Sequence, residues 1–148
     1  MKAISLWEPW ATLVAMGKKR YETRSWETFY RGPLLICASK KKLPFIEIVS
    51  LLHFFKLTID DLNYGRALAI VDLVAIFSTD YVRDTVDFLE QKVGDFSLGR
   101  YAWKLENVQR FKKPPWIRGK QGLFDVPDIY FGVKFVQTLS DIPVDPHE

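Results

Sequence analysis

Residues 17–24, Gly17-Lys18-Lys19-Arg20-Tyr21-Glu22-Thr23-Arg24, form the stretch that decides the fold. A helix is expected to end at the glycine, and a strand is predicted to begin within a few residues and run from Tyr21 to Trp26. Alternate side chains of a strand share a face, so Glu22, Arg24 and Trp26 should point the same way, with Lys19 in the turn before them. This acid, guanidinium and indole could bind a base edge, a phosphate and a ring face. The alternative is an ordinary Lys19–Glu22–Arg24 ion-pair cluster on the surface.

Short strands and a few helices are predicted on both sides of this stretch. Pro9 should open the first helix, and Pro44 a second helix with a buried stripe. A short third helix is predicted over 84–93. The pattern therefore favours an α+β fold, a small β-barrel with flanking helices. The expected strands are Ala3–Leu6, Tyr21–Trp26, Pro33–Ser39, Arg66–Phe77, Tyr101–Phe111 and Ile129–Val136, and the expected stripe is Phe45, Ile48, Val49, Leu52 and Phe55.

Length and composition predict a single folded domain over residues 1–148, with a flexible tail at 138–148. A chain of 148 residues falls within the roughly 100–200 residues usual for one domain. Hydrophobic residues make up 48% and charged residues 26%, the balance of a folded globule. The lone cysteine, Cys37, cannot form an internal disulfide, and no signal peptide is visible, so we expect a cytoplasmic protein, or a nuclear one in a eukaryote. The most apolar segment, Phe45–Phe55, is too short to span a bilayer, so no membrane association is predicted.

Charge is distributed unevenly along the chain. Residues 1–42 hold nine Lys/Arg against three Asp/Glu, and residues 100–120 hold seven against one. Between them, residues 43–99 hold four against nine. All five tryptophans fall in the two basic segments. Basic side chains mixed with aromatic rings suit single-stranded nucleic acid, whose phosphates and bases both need partners. The alternative is that these charge blocks are simply solvated faces.

Several motifs in this sequence resemble the ASCH (activating signal cointegrator homology) family. Gly17, Lys19, Glu22 and Arg24 match its signature G-x-K-x-x-E-x-R. The opening Ile4-Ser5-Leu6-Trp7-Glu8-Pro9-Trp10-Ala11 also resembles the start of many members, and the resemblance extends from about Met1 to Phe124. Further similar stretches are Ser25-Trp26, Tyr30-Arg31-Gly32-Pro33-Leu34, Val71-Asp72-Leu73 and Gly119-Lys120-Gln121-Gly122-Leu123.

This resemblance implies a PUA-like β-barrel with a cleft between the first helix and the barrel. The cleft would take RNA or DNA, single-stranded or locally opened, or a modified nucleotide. Trp7, Trp10 and Trp26 are candidate walls of this cleft. Of these, Trp10 is the one expected to be core, because it shares a helical face with Leu13 and Val14. Cys37, where many members have His, is interpreted as a packing substitution. The expected ligand-binding residues are Trp7, Lys19, Glu22, Arg24, Trp26, Ser39 and Lys40. The expected contacts to the phosphate backbone are Lys18, Arg20, Lys41, Lys42, Arg110, Lys112, Lys113, Arg118 and Lys120.

Two other functions stay open at this point. A related branch of small ASCH proteins hydrolyses acylated cytidines with a Lys, a Thr and an acid, to which Lys19 and Asp72 would correspond. Glu22 stands at the Thr position and should hold Lys19 protonated, and Thr23 faces the other side of the strand. Asp72, inside an apolar strand, should either pair with Lys19 or Arg24 or face water. An amidohydrolase or ribonuclease would then use Lys19, Asp72 and Glu22. The third hypothesis is a protein-interaction module of transcription or RNA processing.

No metal or cofactor is predicted. Two histidines and one cysteine supply no set of ligands with metal-site spacing. The glycines form neither a Walker nor a Rossmann pattern.

Overall fold

A computed structural model of the protein describes residues 1–127 and the short strand at 135–136. The strands are β1 (Lys2–Leu6), β2 (Tyr21–Arg24), β3 (Gly32–Ala38), β4 (Ala67–Ser78), β5 (Tyr101–Phe111), β6 (Leu123–Asp125) and β7 (Phe135–Val136). The helices are α1 (Trp10–Ala15), α2 (Phe45–Phe54), α3 (Thr79–Val82) and α4 (Phe88–Val93), with a 3-10 turn at Ile59–Asp61.

The strands form one sheet that follows an open path. Its order is β2-β5-β4-β3-β1-β6, with β7 added beside β5. β1 and β3 run parallel, and the other pairs are antiparallel. The sheet curls into a half-barrel whose ends, β2 and β6, are not hydrogen-bonded to each other in the part of the chain described here. The predicted α+β barrel with flanking helices is confirmed, in this incompletely closed form.

The main core lies inside the curl, where α1 packs against β3, β4 and β5. Five of the six residues of α1 are buried. A helix this short is not stable alone, so packing supplies its stability. Trp103 of β5 is the largest fully buried side chain of this core. Cys37 belongs to a second core cluster with Leu35 and Phe111, and burial raises the pKa of its thiol to about 12.

A buried carboxylate fixes the start of α1. Glu8 accepts hydrogen bonds from the Thr12 backbone N–H at 2.7 Å and the Thr12 hydroxyl at 2.5 Å. It also accepts one from the Asn63 backbone N–H at 2.6 Å. Burial raises the pKa of Glu8, and these hydrogen bonds oppose the rise. Glu8 therefore joins α1 to the segment before β4. At the other end of the helix, Gly17 adopts a φ of 74°, the left-handed conformation that ends many helices.

Comparison with the predicted elements shows agreement and several differences. β5 has the predicted bounds, whereas β2 ends at Arg24 instead of Trp26. α2 forms where expected. Of the five residues of its predicted stripe, only Ile48 and Leu52 are buried, and Phe45 is exposed. α3 and β6 were not predicted. Of the predicted strand 129–136 only 135–136 is described, and the tail 138–148 lies outside the described residues. No helix in the described part of the chain has the length and apolar content to cross a membrane.

Candidate functional site

A cleft of about 1290 Å³ opens between the two ends of the curled sheet. β2 forms one side, through Glu22, Thr23 and Arg24. β1 and the loop 117–122 that precedes β6 form the opposite side, and residues 92–95 at the end of α4 form a third wall. The cleft thus occupies the place where a closed barrel would pair its first and last strands.

Arg24 connects the two sides of the cleft. Its Nη2 donates a hydrogen bond to the Ser5 carbonyl of β1 at 3.0 Å and lies 3.5 Å from Oε2 of Glu22. Oε1 of Glu22 accepts a hydrogen bond from the Thr23 backbone N–H at 3.0 Å. The predicted grouping of Glu22 and Arg24 on one face of the strand is therefore present, and both side chains line the cleft.

Lys19 is buried in the wall of the cleft. Its Nζ donates to the Val93 carbonyl at 3.1 Å. Burial lowers the pKa of Lys19, and this effect exceeds the opposing attraction of Glu22 and Glu90. Glu22 therefore raises the pKa of Lys19, as expected of a neighbouring carboxylate, but desolvation is the larger influence.

α4 holds the turn that contains Lys19 in place. Glu90 is buried and accepts hydrogen bonds from the Arg20 backbone N–H at 2.7 Å and from Arg20 Nε at 3.1 Å. Nη2 of Arg20 lies 2.6 Å from Asp87, the residue that caps α4. Arg20, expected to contact phosphate, therefore points to α4 and is neutralised there by two carboxylates.

A second set of contacts attaches the residues after α4 to β2. The Thr23 hydroxyl accepts a hydrogen bond from the Asp95 backbone N–H at 3.2 Å, and Nη2 of Arg100 donates to the Thr23 carbonyl at 3.1 Å. Nε of Arg100 lies 3.4 Å from the Asp95 carboxylate. Five residues line the cleft although no sequence motif assigned them to it: Lys92, Val93, Gly94, Asp95 and Arg100. Arg100 could have been assigned to the cleft from its place in the basic segment 100–120.

Three tryptophans line the cleft, as the resemblance implied for Trp7, Trp10 and Trp26. Trp26 packs edge-on against the buried Trp103, with ring centroids 4.9 Å apart and planes at 87°. Trp7 is more exposed, and Nζ of Lys41 lies 4.2 Å from its ring centroid. Trp10 packs against the core, as expected, and also lines the cleft. The cleft therefore offers indole surface beside a cation.

Positive charge dominates the described lining. Only two acids, Glu22 and Asp95, face the cleft alongside eight basic residues, Lys19, Arg24, Lys40, Lys41, Lys92, Arg100, Arg118 and Lys120. Ser39 also lines it, and its hydroxyl accepts a hydrogen bond from the Lys41 backbone N–H at 3.1 Å. Of the expected backbone contacts, Lys41, Arg118 and Lys120 are in the cleft.

The remaining expected contacts lie elsewhere. The cleft lining does not include Lys18, Arg20, Lys42, Arg110, Lys112 or Lys113. Nζ of Lys42 lies 5.3 Å from the ring centroid of Tyr64. Arg110 is half-buried, and burial lowers its pKa although Asp61 and Glu8 attract the charge. Its charge is therefore directed toward these two acids more than toward an exposed basic surface.

Asp72 lies outside the cleft lining, contrary to one of the two expectations for it. Its Oδ2 accepts a hydrogen bond from the Asn107 side chain at 2.8 Å, and the residue is half-exposed. In the register of the sheet, Asp72 stands opposite Pro33 and Glu106. Its carboxylate therefore pairs with an amide at the surface of β4 and β5, and the geometry does not bring it to Lys19. Among the residues described, no three His, Cys, Asp or Glu side chains cluster as metal ligands would.

The profile of the ASCH domain matches residues 4–115, and the chain belongs to the ASCH domain family. ASCH domains have a PUA-like fold and are associated with RNA binding. A stretch of 96 residues is 32% identical to activating signal cointegrator 1 of Homo sapiens, and the mouse protein of the same name is 31% identical over 96 residues. These alignments cover 60% of this chain but 16% of either cointegrator.

Solved structures of an ASCH protein from Zymomonas mobilis share the fold. A tyrosine-to-phenylalanine mutant of that protein gives a TM-score of 0.58 at 16% identity, with 90% of this chain and 98% of that chain covered. The protein without that mutation gives a TM-score of 0.57 at 16% identity, with coverages of 90% and 95%. The predicted family and barrel class are thus confirmed.

Proposed function

We propose that the cleft binds a nucleotide or an exposed base of single-stranded or locally opened nucleic acid. One observation carries the proposal: three tryptophans and eight basic residues line one cavity with only two acids among its described residues. Stacked bases need aromatic faces, and phosphates need cations. The association of ASCH domains with RNA binding supports the same conclusion. The described strands form one sheet, which supports the proposal that the cleft belongs to a single domain.

Arg24 and Glu22 are the proposed recognition pair. Both contacts of the Arg24 guanidinium use Nη2, and a guanidinium has further N–H donors to offer a ligand. Arginine can bind a phosphate or a base edge through two parallel hydrogen bonds. The Glu22 carboxylate accepts hydrogen bonds, so it suits an amino group on a base. Trp26, held edge-on by Trp103, would supply a ring face nearby.

Substitution of Arg24 tests whether the cleft is the site. Arg24→Ala should weaken binding of a fluorescent single-stranded oligonucleotide by about 1–3 kcal/mol, the value of one bidentate contact. Lys113→Ala removes an exposed charge outside the cleft and should have a much smaller effect. The measurement is fluorescence anisotropy, with thermal melting to verify that both variants are folded. Equal losses from the two substitutions would contradict the proposal.

A second candidate function is hydrolysis of an acylated pyrimidine nucleoside. The observation that favours it is Lys19, a buried lysine in the wall of the cleft whose pKa is lowered by burial. A neutral amine is a nucleophile or a base, whereas an ammonium is neither, and perturbed pKa values cluster at functional sites. Asp72 does not reach Lys19, so the activating acid first expected for this reaction is missing from the cleft. We therefore rank binding above hydrolysis.

A further inference from the structure

Trp116 is an exposed aromatic residue held in a fixed position beside the cleft. Two backbone hydrogen bonds fasten its neighbours, from Ala67 N–H to the Pro115 carbonyl and from Ile117 N–H to the Gly65 carbonyl, both at 2.9 Å. Trp116 also forms an isolated antiparallel bridge with Arg66. The residue nevertheless remains 66% exposed. A large apolar side chain on a well-anchored backbone is thus presented to solvent.

Arg66 covers one face of this indole. Its guanidinium carbon lies 3.6 Å from the ring centroid, and its Nη1 donates to the Pro114 carbonyl at 2.8 Å. A cation this close to a ring is attracted by the negative face of the π system. The ring is therefore supported from one side. The 66% exposure of the residue shows that much of the indole stays accessible to a ligand.

A shallow depression of about 250 Å³ lies against Trp116 and borders the main cleft. Three of its residues, Lys40, Ile117 and Arg118, line both. Gly65 also lines the depression, with a φ of 74°. A Cβ on Gly65 would stand 3.0 Å from Cγ of Lys40, so the glycine leaves the space in which the lysine passes toward the cleft. Two cations thus lie at the junction between the cleft and the Trp116 ring.

We propose that Trp116 is a second base-stacking site and that the ligand is a single strand of at least two nucleotides. This inference rests on the proposed function and specifies its ligand. One base enters the main cleft, and its neighbour along the strand stacks on the face of Trp116 opposite Arg66. The phosphate that joins them lies at the junction, where Lys40 and Arg118 provide the positive charge. A free nucleotide would occupy the first site alone.

Binding of ligands of increasing length tests this proposal. The probes are uridine 5′-monophosphate and oligouridylates of two, three and four nucleotides, which compete with a fluorescein-labelled single-stranded octanucleotide for the wild-type protein. Base stacking on an aromatic ring is worth enough to change affinity by about tenfold or more. We expect affinity to rise at least tenfold from the mononucleotide to the dinucleotide, beyond which the increments should be smaller.

Three variants complete the test. Trp116→Ala should abolish the increase between one and two nucleotides but leave mononucleotide binding unchanged, whereas Trp116→Phe should keep most of it. Phe29→Ala, at a fully exposed aromatic residue outside both cavities, serves as the control and should bind every probe as the wild type does. If Trp116→Ala binds the dinucleotide as tightly as the wild type, the second site is refuted and the cleft stands. If the wild type binds neither mononucleotide nor oligonucleotide, the proposed function fails as well.

Discussion

Lys19 is a lysine in surroundings unusual for its type, because its side chain is buried. The Val93 carbonyl, Glu22 and Glu90 do not fully compensate the ammonium group for its lost hydration. Burial therefore lowers the pKa of Lys19 from 10.5. Between this lowered value and 10.5 the folded protein binds fewer protons than the unfolded chain. The free energy of unfolding therefore rises with pH across that window.

Comparison of the wild type with Lys19→Met tests this directly. Methionine has a similar length and no charge, so the variant lacks the titration. We expect the free energy of unfolding of the wild type to increase relative to that of Lys19→Met as the pH rises toward 10.5. The measurement is urea denaturation at several pH values, and Lys18→Met, at the exposed neighbouring lysine, is the control. A difference that does not change with pH would show that Lys19 keeps an ordinary pKa in the folded protein.

The chemistry around Lys19 predicts little or no hydrolysis of N4-acetylcytidine. The lowered pKa favours a neutral amine, but Glu22 presents a carboxylate that would repel negative charge growing on the substrate oxygen. Asp72, the acid expected to activate Lys19, is bonded to Asn107 and does not line the cleft. Turnover should be compared between the wild type and Glu22→Thr, which supplies a hydroxyl at that position. Efficient hydrolysis by the wild type that is lost in Lys19→Ala would reverse the ranking of the two functions.

Among the elements, α1 depends on a carboxylate buried at its start. Removal of Glu8 would leave the backbone N–H groups of Thr12 and Asn63 without their acceptor. A buried polar group without a partner costs about 1–3 kcal/mol, so Glu8→Ala should lower the free energy of unfolding by at least this amount. Glu47→Ala, at an exposed position of α2, should change it by less than about 0.5 kcal/mol. Equal effects in chemical denaturation would mean that Glu8 does not anchor the helix.

The elements also show what the sequence can predict. β5 and the turn at Gly17 follow from local patterns, alternation in one case and a glycine after a helical run in the other, and both formed as expected. The exposure of Phe45 could not be predicted, because the helical period gives the spacing of an apolar face but not how much of it another element covers. β6 is only three residues long and exists through its pairing with β1.

The cleft likewise has one side that the sequence predicts and one that it does not. The residues on its β2 side all come from the short motif at 17–24. The structure brings Lys19, Glu22 and Arg24 to one cavity, as that motif suggested. The α4 wall was missed because its contacts join residues about seventy positions apart, such as Lys19 with Val93, and no local pattern encodes such a pairing. The ion pairs of Arg20 were missed for the same reason, since its partners Asp87 and Glu90 are equally distant along the chain.

For the molecule as a whole, the basic cleft predicts binding that depends on salt. If about four phosphates are neutralised, the logarithm of affinity for a single strand should fall with the logarithm of salt concentration at a slope of roughly −3. Replacement of Lys40 and Lys120 by Gln should make this slope shallower by about 0.7 for each phosphate contact removed. Lys18→Gln, outside the cleft, is the control. Affinity that stays constant between about 50 mM and 200 mM salt would remove the electrostatic part of the proposal.

The open seam of the sheet would give a bound ligand a mechanical role. In the described structure Arg24 reaches from β2 to the Ser5 carbonyl of β1 across a gap that no ladder of backbone hydrogen bonds closes. A strand of nucleic acid bound by both sides would cross-link them, because its phosphates and bases would contact two sheet edges that are not hydrogen-bonded to each other. Occupancy would then stiffen the barrel as well as raise its stability by mass action. The free protein would be more flexible at the seam, and the complex would be closer to a closed barrel.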